Sequence, residues 1–485
     1  GAGEKAAGDL ARLAVEETGF GRLESKTQKN RFATREVWRS IQGLKTVGFV
    51  RRDEAARVHE IAVPMGVVAG IIPVTNPTST ALFKILISLK GRNGIVLSPH
   101  PRAARCIAAA AGVAHQAAVA AGAPEGIVQC LASPTLAATD ALMTHPDVAV
   151  ILATGGSGLV KAAYSSGKPA FGVGPGNVPV WVDRSADPAH TARCLAASKT
   201  FDYGTLCSSE QAIVVDAPVK ARLLEALERE KAVLVEGPDR GKLARLVQLP
   251  GGGLNTKVVG LPAARLAQMA GFAVPPDTTI LLVEETGVGP DHPFSMEILA
   301  PVLAMFTEGG WEAGCARCVQ LLRYGGMGHT LGIHATDEKV IREFALQKPA
   351  GRIVANAPTS QGAVGYATRL IPSLTLGCGT MGGNISTDNI TASHLVQIKR
   401  LAYGDPAFFQ APVPAPAPPA GTCATPGKRE ATPSLAERPS APKGPRPIEA
   451  IQAGWLARNR ARGKQLGIEV APRIGYKPPV SQGGL

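Results

Sequence analysis

Residues 66–80 read Gly66-Val-Val-Ala-Gly-Ile-Ile-Pro-Val-Thr-Asn-Pro-Thr-Ser-Thr80, an apolar run that ends in a polar turn. Such a run, bounded by Gly and Pro, predicts a buried strand. A helical pattern over Ala81–Lys90 and a second strand pattern over Gly94–Ser98 follow it. A strand, a helix and a strand in this order form a βαβ unit with parallel strands. This stretch therefore predicts an α/β fold.

The same alternation continues on the C-terminal side. Each predicted strand ends in a turn of Gly, Ser, Thr or Pro, and ligands of open α/β sheets bind at these carboxyl ends. One such turn, Thr154–Gly158, suits a phosphate at a helix N-terminus, although a tight turn needs Gly for backbone reasons alone. The further elements predicted around it are a helix over Ala103–Ala123, a strand over Gly126–Cys130, a helix over Thr135–Thr144 and a strand over Asp147–Leu152.

Other segments flank this α/β core. Residues 1–60 predict helices with polar faces, which end in a short strand-like piece over Arg57–Val63. A helix over Pro188–Ser198 leads to the segment that contains Cys207, and the α/β pattern then continues to about Thr375. The segment Leu374–Gly383 is too rich in Gly for a regular element, and it predicts a loop that crosses close to another backbone.

Cys207 lies between Thr205 and two serines, just before the β-branched run Ile213–Val215. This pattern predicts a cysteine in a loop before a buried strand, with room for a substrate beside its sulfur. Such a thiol can act as a nucleophile when its pKa is lowered. The alternative is an inert buried thiol, which is the common role of a single cysteine.

The remaining cysteines predict neither a disulfide framework nor a metal site. The chain holds eight cysteines without regular spacing, which is typical of a reducing compartment. Cys315 and Cys318 form one CxxC inside a helical pattern, and no second pair follows. No secretory signal is found, and no apolar stretch reaches the ~18 residues of a membrane span. We therefore expect a cytoplasmic protein that binds no membrane.

The net charge of +13 is unevenly distributed. Residues 405–485 hold eleven basic and five acidic residues, so +6 of the +13 belongs to the last sixth of the chain. The body is only mildly basic, which suits small anionic ligands, and no nucleic-acid partner is predicted. Residues 404–447 hold twelve prolines and predict an extended linker. In residues 448–485, apolar residues at helical spacing precede a basic run and predict a tethered amphipathic helix that docks on a partner groove, a membrane surface or nucleic acid. The alternative is a disordered tail.

Many of these motifs, in order over about residues 10–403, resemble the CoA-acylating aldehyde dehydrogenases. The resemblance rests on Ile71–Thr80, Ser98–Arg102, Ala153–Gly156, Lys161–Lys168, Gly172–Asn177, Thr205–Gln211, Gly328–Thr330 and Pro372–Gly379. The linker and tethered helix resemble the encapsulation peptides of enzymes in bacterial microcompartments for propanediol or ethanolamine utilisation. The family usually has more N-terminal helix, so the resemblance implies a shortened start.

The resemblance implies an aldehyde dehydrogenase-like α/β fold in three parts. A parallel-sheet nucleotide-binding domain would take residues 1–49 and 65–185, with residues 374–393 returning to it. An α/β catalytic domain would take residues 186–373. A small β arm that mediates dimerisation would consist of residues 50–64 and 394–403. A homo-oligomer, dimer or dimer of dimers, is implied, and the C-terminal helix would bind a microcompartment shell protein.

The resemblance also assigns chemistry. Cys207 would attack a short aliphatic aldehyde, propionaldehyde or acetaldehyde, and become a thioester after hydride passes to NAD. The oxyanion donor would be Thr75 in an ungapped match, but only Asn76 offers an NH₂ group, so Asn76 is favoured. His329 would help CoA react, or would be a core histidine. The residues implied to bind the dinucleotide are Ile71, Ile72, Pro73, Val74, Ser98, His100, Pro101, Gly122, Thr154, Gly155, Gly156, Val173, Gly174, Glu297 and Leu299.

The product is implied by a missing carboxylate. Hydrolytic aldehyde dehydrogenases carry a Glu in Glu-Leu-Gly-Gly, whereas the matching turn here is Val173-Gly-Pro-Gly. Without a general base, attack by water should lose ~10²- to 10⁴-fold in rate, which leaves the acyl group for CoA. The alternative is a hydrolytic enzyme that releases the free acid. Nothing acidic stands near Pro101, so NADP is not excluded as the cofactor.

Overall fold

The computed structural model describes residues 1–405 and residue 407, which belong to one compact unit. Helices come first, and the chain then turns into two antiparallel strands. The prediction of helix up to residue 56 was wrong beyond Ile41, because residues 48–53 form a strand. This strand is only half-buried, and its pairing with the next strand stabilises it. The elements are α1 (Ala2–Lys5), α2 (Ala7–Thr18), α3 (Leu23–Arg31), α4 (Val37–Ile41), β1 (Gly48–Asp53) and β2 (Val58–Pro64).

The first parallel sheet has the strand order β5-β4-β3-β6-β7. The chain moves outward from β3 to β5 and then returns beside β3 at β6, so the topological switch point lies between β3 and β6. A ligand of an open α/β sheet binds at this point. The elements are β3 (Val67–Ile72), α5 (Pro77–Lys90), β4 (Gly94–Pro99), α6 (Ala104–Ala120), β5 (Val128–Cys130), α7 (Leu136–Thr144), β6 (Val148–Thr154), α8 (Ser157–Ser165) and β7 (Ala170–Val173).

Helices α5 and α6 can be compared with the sequence predictions. Helix α5 starts four residues before the predicted Ala81, since Pro77 suits the first position of a helix. The segment Pro101–Ala120, which contains α6, is long and apolar enough by length and composition to cross a membrane. Its residues Cys106, Ile107 and Ala110 are nevertheless fully buried in the protein core. Helix α6 therefore packs as the connection between β4 and β5.

The second parallel sheet has the strand order β10-β11-β12-β9-β8-β13-β14. All seven residues of its central strand β9 are buried. The elements are β8 (Val178–Val182), α9 (Pro188–Lys199), β9 (Glu210–Asp216), α10 (Lys220–Arg229), β10 (Ala232–Leu234), α11 (Gly237–Val247), α12 (Ala263–Ala270), β11 (Ile280–Glu284), β12 (Val302–Glu308), α13 (Trp311–Gly325), β13 (Leu331–His334), α14 (Glu338–Gln347), β14 (Ile353–Ala355) and α15 (Thr359–Ala363).

The boundary predicted after residue 185 was wrong. Strand β8 pairs with β9 and β13, so it belongs to the second sheet. The chain therefore leaves the first sheet at Val173 and enters the second at Val178. The rest of the domain division stays a prediction.

The predicted crossing loop is confirmed. At Gly328 a Cβ would lie 1.9 Å from the carbonyl oxygen of Cys378, and at Gly377 it would lie 2.2 Å from that of Ser386. Leu376 and Ile390, on either side of this loop, pack in the same core cluster as β3 and α5. Only glycine allows backbones to approach so closely.

The last strand, β15 (Val396–Ala402), pairs antiparallel with β2. Strands β1, β2 and β15 form a separate three-stranded sheet. The predicted small β arm is therefore present in the chain, and its role in dimerisation stays a prediction. The predicted linker and tethered helix, residues 404–485, lie outside the described residues apart from 404, 405 and 407.

Candidate active site

Cys207 lies in a turn directly before strand β9, as predicted. The turn is preceded by three consecutive residues in the left-handed region, Asp202, Tyr203 and Gly204, with φ of 50°, 51° and 73°. A left-handed backbone is unfavourable for a residue with a side chain, by roughly 1–2 kcal/mol. Such a conformation persists only where the surroundings enforce it. Other contacts must therefore hold this turn.

Those contacts converge on the buried carboxylate of Asp202. It accepts hydrogen bonds from the backbone N–H of Arg22 at 2.8 Å, from Lys26 Nζ at 3.1 Å and from Thr205 Oγ1 at 2.7 Å. Lys29 Nζ donates to it as well. Although burial raises the pKa of Asp202, the charges of Lys29 and Lys26 hold it below its ordinary value. Helix α3 thus fixes the turn that presents Cys207.

The same lysine orients the amide of Asn76. Lys29 Nζ donates to Asn76 Oδ1, which leaves the Nδ2 group to donate to the carbonyl oxygen of Thr205 at 3.3 Å and to Thr75 Oγ1 at 3.2 Å. Asn76 is the residue before helix α5, yet its side chain does not cap that helix. The amide is therefore held toward the Cys207 turn, with its NH₂ group on that side.

The sulfur of Cys207 lies in an environment that favours the thiol. Burial and the charges of Glu297 and Cys378 raise its pKa to about 12, while the buried cation of Arg352 acts in the opposite direction. Arg352 donates to the carbonyl oxygens of His329, Gly377 and Thr387. In the free protein, Cys207 is thus protonated at neutral pH.

Cys207 opens onto a cleft of about 430 Å³ at the carboxyl ends of β3, β4 and β6. We call it the cofactor cleft. Every residue predicted to bind the dinucleotide lines it except Gly122, and both Thr75 and Asn76 do so as well. Six lining residues were not predicted: Pro99, Leu136, Thr139, Leu159, Pro175 and Thr205.

The cofactor cleft fits a dinucleotide. It lies at the switch point between β3 and β6, and Gly155 and Gly156 lead into the N-terminus of α8, where backbone N–H groups favour an anion. The hydroxyl Oγ1 of Thr154 is buried and has no hydrogen-bond partner within the protein. Since buried polar atoms are rarely left unpaired, this hydroxyl is suited to a bound ligand.

Glu297 is the one carboxylate among the residues that line the cofactor cleft. Its Oε1 accepts a hydrogen bond from the backbone N–H of Gly176 at 2.8 Å, and burial raises its pKa to about 7. Gly176 belongs to the turn after Val173, and a Cβ there would lie 2.2 Å from the carbonyl oxygen of Cys207. The turn therefore touches the nucleophile's backbone but brings no second carboxylate.

Two predicted residues lie outside the cofactor cleft. Gly122 is exposed just after helix α6 with a φ of 93°, a conformation that favours glycine, and its assignment to the cofactor site stays a prediction. His329 is fully buried, with Nδ1 2.9 Å from Thr330 Oγ1 and Nε2 without a partner. Burial, together with the charge of Arg352, lowers its pKa to about 3. The role of His329 in catalysis stays a prediction.

A second cavity, of only about 20 Å³, lies at Leu206, the residue before the nucleophile. We call it the small pocket. Phe32 and Tyr366 meet there edge to face, with ring centroids 5.7 Å apart. Its lining is largely apolar and consists of Gln28, Lys29, Phe32, Phe201, Leu206, Ser360, Gln361, Val364, Tyr366 and Leu374.

The sequence has known relatives. The Aldehyde dehydrogenase family profile matches residues 3–242. The bifunctional aldehyde-alcohol dehydrogenase of Escherichia coli (strain K12) is 43% identical over 398 residues, which are 81% of this chain and 45% of that protein. The chain therefore spans about half the length of the curated relatives it matches first.

The chain covers a larger share of several proteins of known structure. An acetylating aldehyde dehydrogenase from Geobacillus thermoglucosidasius is 53% identical, with a TM-score of 0.82 over 83% of this chain and 89% of that one. A propionaldehyde dehydrogenase from a fucose utilisation microcompartment of Clostridium phytofermentans is 29% identical, with a TM-score of 0.75 over 82% and 89%. One from Rhodopseudomonas palustris, solved with CoA and an acylated cysteine, is 28% identical, with a TM-score of 0.73 over 82% and 88%.

These matches confirm the resemblance that the motifs indicate. The chain belongs to the aldehyde dehydrogenase family, and within it to the acylating group. The structural match includes the two parallel sheets, and Cys207 lies directly before the central strand of the second sheet and lines the cofactor cleft at the strand ends of the first.

Proposed function

We propose that the protein oxidises a short aliphatic aldehyde to its acyl-CoA thioester, through an acyl thioester on Cys207, with NAD as the hydride acceptor. The observation that carries this proposal is the composition of the cofactor cleft. It joins Cys207 and Asn76 to a dinucleotide site, and it has Val173 where a hydrolytic enzyme has a carboxylate. The alternative, release of a free acid, lacks its general base.

The nucleophile must lose a proton before it attacks. The pKa of Cys207 is raised to about 12 by burial first and by the charge of Glu297 next. Since the pKa of Glu297 is itself raised to about 7, this carboxyl group is largely neutralised a little below pH 7, and its repulsion of the thiolate then falls. The proton of the Cys207 thiol passes to solvent, and the thiolate adds to the aldehyde carbon to form a thiohemiacetal whose oxygen carries the negative charge. Neutralisation of Glu297 lowers the pKa of Cys207, whereas the fall in pH that neutralises it also lowers the thiolate fraction.

Asn76 stabilises that oxygen. Lys29 already holds the amide of Asn76 with its Nδ2 group toward the Cys207 turn, so the oxyanion needs only to replace Thr75 or Thr205 as the acceptor of one N–H bond. A donor placed in this way contributes ~3 kcal/mol to the stability of the transition state. Thr75, the alternative donor, only accepts from Asn76 in the described structure, and its own backbone oxygen is bound by Lys26.

The dinucleotide would be held by the ends of β3 and β6, by the N-terminus of α8 and by Glu297, and when bound it would supply the hydride acceptor that the oxidation requires. The chain's own contribution is the position of Cys207 relative to that site. Thr154 Oγ1 and the free oxygen of Glu297 are the polar groups that a ribose or phosphate would engage. NADP remains an alternative dinucleotide for the same groups.

The acyl group then passes to a thiol. Thiolate exchange on a thioester needs little assistance, whereas attack by water needs a base that Val173 cannot supply. CoA is the thiol that we propose, and its attack returns Cys207 to the thiol form. His329 is neutral near pH 7 and its Nε2 is unpartnered, so it suits a hydrogen bond from an incoming thiol.

The small pocket supports a short substrate. A space of about 20 Å³ corresponds to little more than one water-sized probe, and we propose that it favours a short alkyl group over a long chain. Acetaldehyde and propionaldehyde fit this limit. We therefore propose these two aldehydes as substrates.

The C-terminal segment indicates where in the cell the reaction takes place. Residues 448–485 have the pattern of an encapsulation peptide, and one structural relative comes from a bacterial microcompartment. We propose a cytoplasmic enzyme that is loaded into such a compartment through its C-terminal segment. The exposed sheet β1-β2-β15 is the proposed surface for pairing with a second copy.

The test is reduction of NAD by propionaldehyde with and without CoA, on the full chain and on Cys207→Ala. We expect NADH formation that requires CoA, yields propionyl-CoA and falls by ~10⁴-fold or more in the variant. Cys130→Ala, which removes a half-buried thiol that is not part of the cleft lining, is the control and should retain the rate. Equal rates without CoA, with free propionate as product, would contradict the proposal.

A further inference from the structure

A cluster of histidine and cysteine side chains lies outside both cavities of the active site. His190 and Cys194 are four residues apart on helix α9, so they share one face of it, and His334 ends strand β13. Each offers one ligand atom, and the three atoms lie within 4.8 Å of one another. Cys194 Sγ is 3.4 Å from His190 Nε2. None of the three contributes to the cofactor cleft or to the small pocket.

One member of this cluster lacks a partner inside the protein. His334 is 1% exposed, and its Nδ1 makes no hydrogen bond. An unpaired buried nitrogen is costly, by about 1–3 kcal/mol, and is rare in folded proteins. A neutral imidazole keeps a free lone pair on one of its ring nitrogens. This side chain is thus ready to bind a cation.

An oxygen also points at the cluster. The carbonyl oxygen of Asn356 lies 2.9 Å from His190 Nε2 and 4.0 Å from Cys194 Sγ. Asn356 has a left-handed φ of 51°, and its side chain bonds both backbone groups of Ala335, the residue after His334. The backbone at Asn356 is therefore fixed with its carbonyl toward the three side chains, where it can complete a four-ligand set.

The surrounding charges favour a cation on balance. Glu210 is fully buried, and its Oε2 has no hydrogen-bond partner. After burial itself, the charge of this carboxylate is the main cause that raises the pKa of the Cys194 thiol to about 11, whereas Arg193 acts in the opposite direction. The charge of Lys199 also acts on Glu210, and a bound cation would offset the negative charge of Glu210 further. His190 is half-exposed and leaves an entry path from solvent.

The donor set selects the metal. Two imidazoles and one thiolate suit Zn²⁺ and its neighbours Co²⁺ and Cu⁺, whereas Mg²⁺ and Ca²⁺ require oxygen ligands. A tetrahedral Zn²⁺ site spaces its ligand atoms about 3.5 Å apart. The three ligand atoms here lie within 4.8 Å of one another, so side-chain rotations that shorten these distances would bring them to the spacing of a bound ion.

We propose that His190, Cys194 and His334 form a binding site for a zinc-class transition-metal ion, separate from the catalytic cleft. Cys194 binds as the thiolate and releases its proton to solvent, and Asn356 or a water molecule supplies the fourth ligand. The ion joins α9, the helix that leads into the Cys207 turn, to the end of β13. Its role is to hold the second sheet and that helix together.

The experiment uses the full chain with Cys207→Ala, so that the catalytic thiol binds no metal. The probe is Co²⁺, added to chelator-treated protein, and the readout is the thiolate-to-cobalt charge-transfer absorption in the near ultraviolet. We expect one equivalent to bind, and the absorption to vanish on adding Zn²⁺. Both Cys194→Ser and His334→Gln should lower the affinity for Zn²⁺. Loss of a residue that only hydrogen-bonds a metal ligand lowers affinity by roughly 10- to 100-fold, and loss of a ligand itself should lower it by more.

Cys315→Ser is the matched control, because it removes another buried thiol from a helix of the same sheet. It should retain the absorption and the affinity. A second measurement guards against misfolding: Zn²⁺ should raise the melting temperature of the parent protein and of Cys315→Ser, but not of the two site variants. No stoichiometric absorption in the parent, or an absorption that survives Cys194→Ser, would overturn the proposal.

Discussion

The cofactor cleft, which Cys207 lines, and the small pocket, which the preceding residue Leu206 lines, differ in size and in the way they are built. The cofactor cleft has about 430 Å³ and is formed by strand ends, glycines and the start of a helix, whereas the small pocket has about 20 Å³ and is closed by side chains. Backbone groups at strand ends recognise the sugar and phosphate parts common to many ligands. Packed side chains recognise length. We infer that cofactor use is fixed by the fold and aldehyde length by a few residues.

Lys29 connects the two regions. Lys29 lines the small pocket, and its Nζ donates hydrogen bonds to Asp202 and to the amide oxygen of Asn76. Of these two partners, Asn76 lines the cofactor cleft. A change on one side can therefore reach the other through this lysine, as it can through Leu206, which lines the small pocket between two residues of the cleft. The predictions below test how separate the two cavities are.

The largest effect is expected at Asn76. Asn76→Ala removes the proposed oxyanion donor and should lower kcat by ~10²- to 10³-fold with little change in the KM for NAD. Thr75→Val is the comparison, since Thr75 was the alternative donor, and it should cost far less. Steady-state kinetics with propionaldehyde and CoA measures both. A greater loss in Thr75→Val would transfer the role to Thr75.

Next comes the pH dependence of the nucleophile. Burial and the charge of Glu297 raise the pKa of Cys207 to about 12, so the thiolate fraction rises with pH throughout the accessible range. Alkylation of Cys207 by iodoacetamide in the free protein should therefore accelerate about tenfold per pH unit between pH 7 and pH 9. Mass spectrometry of the modified peptide measures the rate. A plateau near neutral pH would show that the thiolate is already formed.

A smaller effect is expected from widening the small pocket. Leu374→Ala removes a half-buried side chain from its wall and should raise kcat/KM for hexanal relative to acetaldehyde by roughly 10-fold. Leu136→Ala in the cofactor cleft, where the side chain is 89% exposed, should leave this ratio unchanged. Rates measured over a series of aldehydes provide the comparison. Equal shifts in both variants would mean that the cavities are not separate.

The smallest effect is expected at Thr154. Its unpartnered Oγ1 should bond the dinucleotide, so Thr154→Val should raise the KM for NAD by roughly 2- to 10-fold, which corresponds to one hydrogen bond. Thr278→Val removes another unpartnered hydroxyl, remote from the cleft, and should leave the KM unchanged. Unchanged kinetics in Thr154→Val would mean that this hydroxyl meets no ligand.

The sequence predicted the parts of the site that follow local rules. Cys207 before a buried strand and the strand-end turns of the cofactor cleft were recognised from periodicity and from family motifs. Asp202, although it stands in the same segment as Cys207, was overlooked, because its partners Lys26 and Lys29 are 176 and 173 residues away. Arg352 was missed for the same reason. Strand β1 was missed because pairing with β2 overrides its local pattern.

The left-handed turn before Cys207 has a consequence for the order of folding. The strained residues Asp202 and Tyr203 depend on lysines from helix α3, so the turn is unstable until the N-terminal helices have docked. Contacts of such large sequence separation form late, since their loop entropy must be overcome first. We therefore expect the nucleophile to be positioned only after both sheets exist. Pulse-labelling hydrogen exchange would then show protection at residues 202–204 after strand β9 is protected.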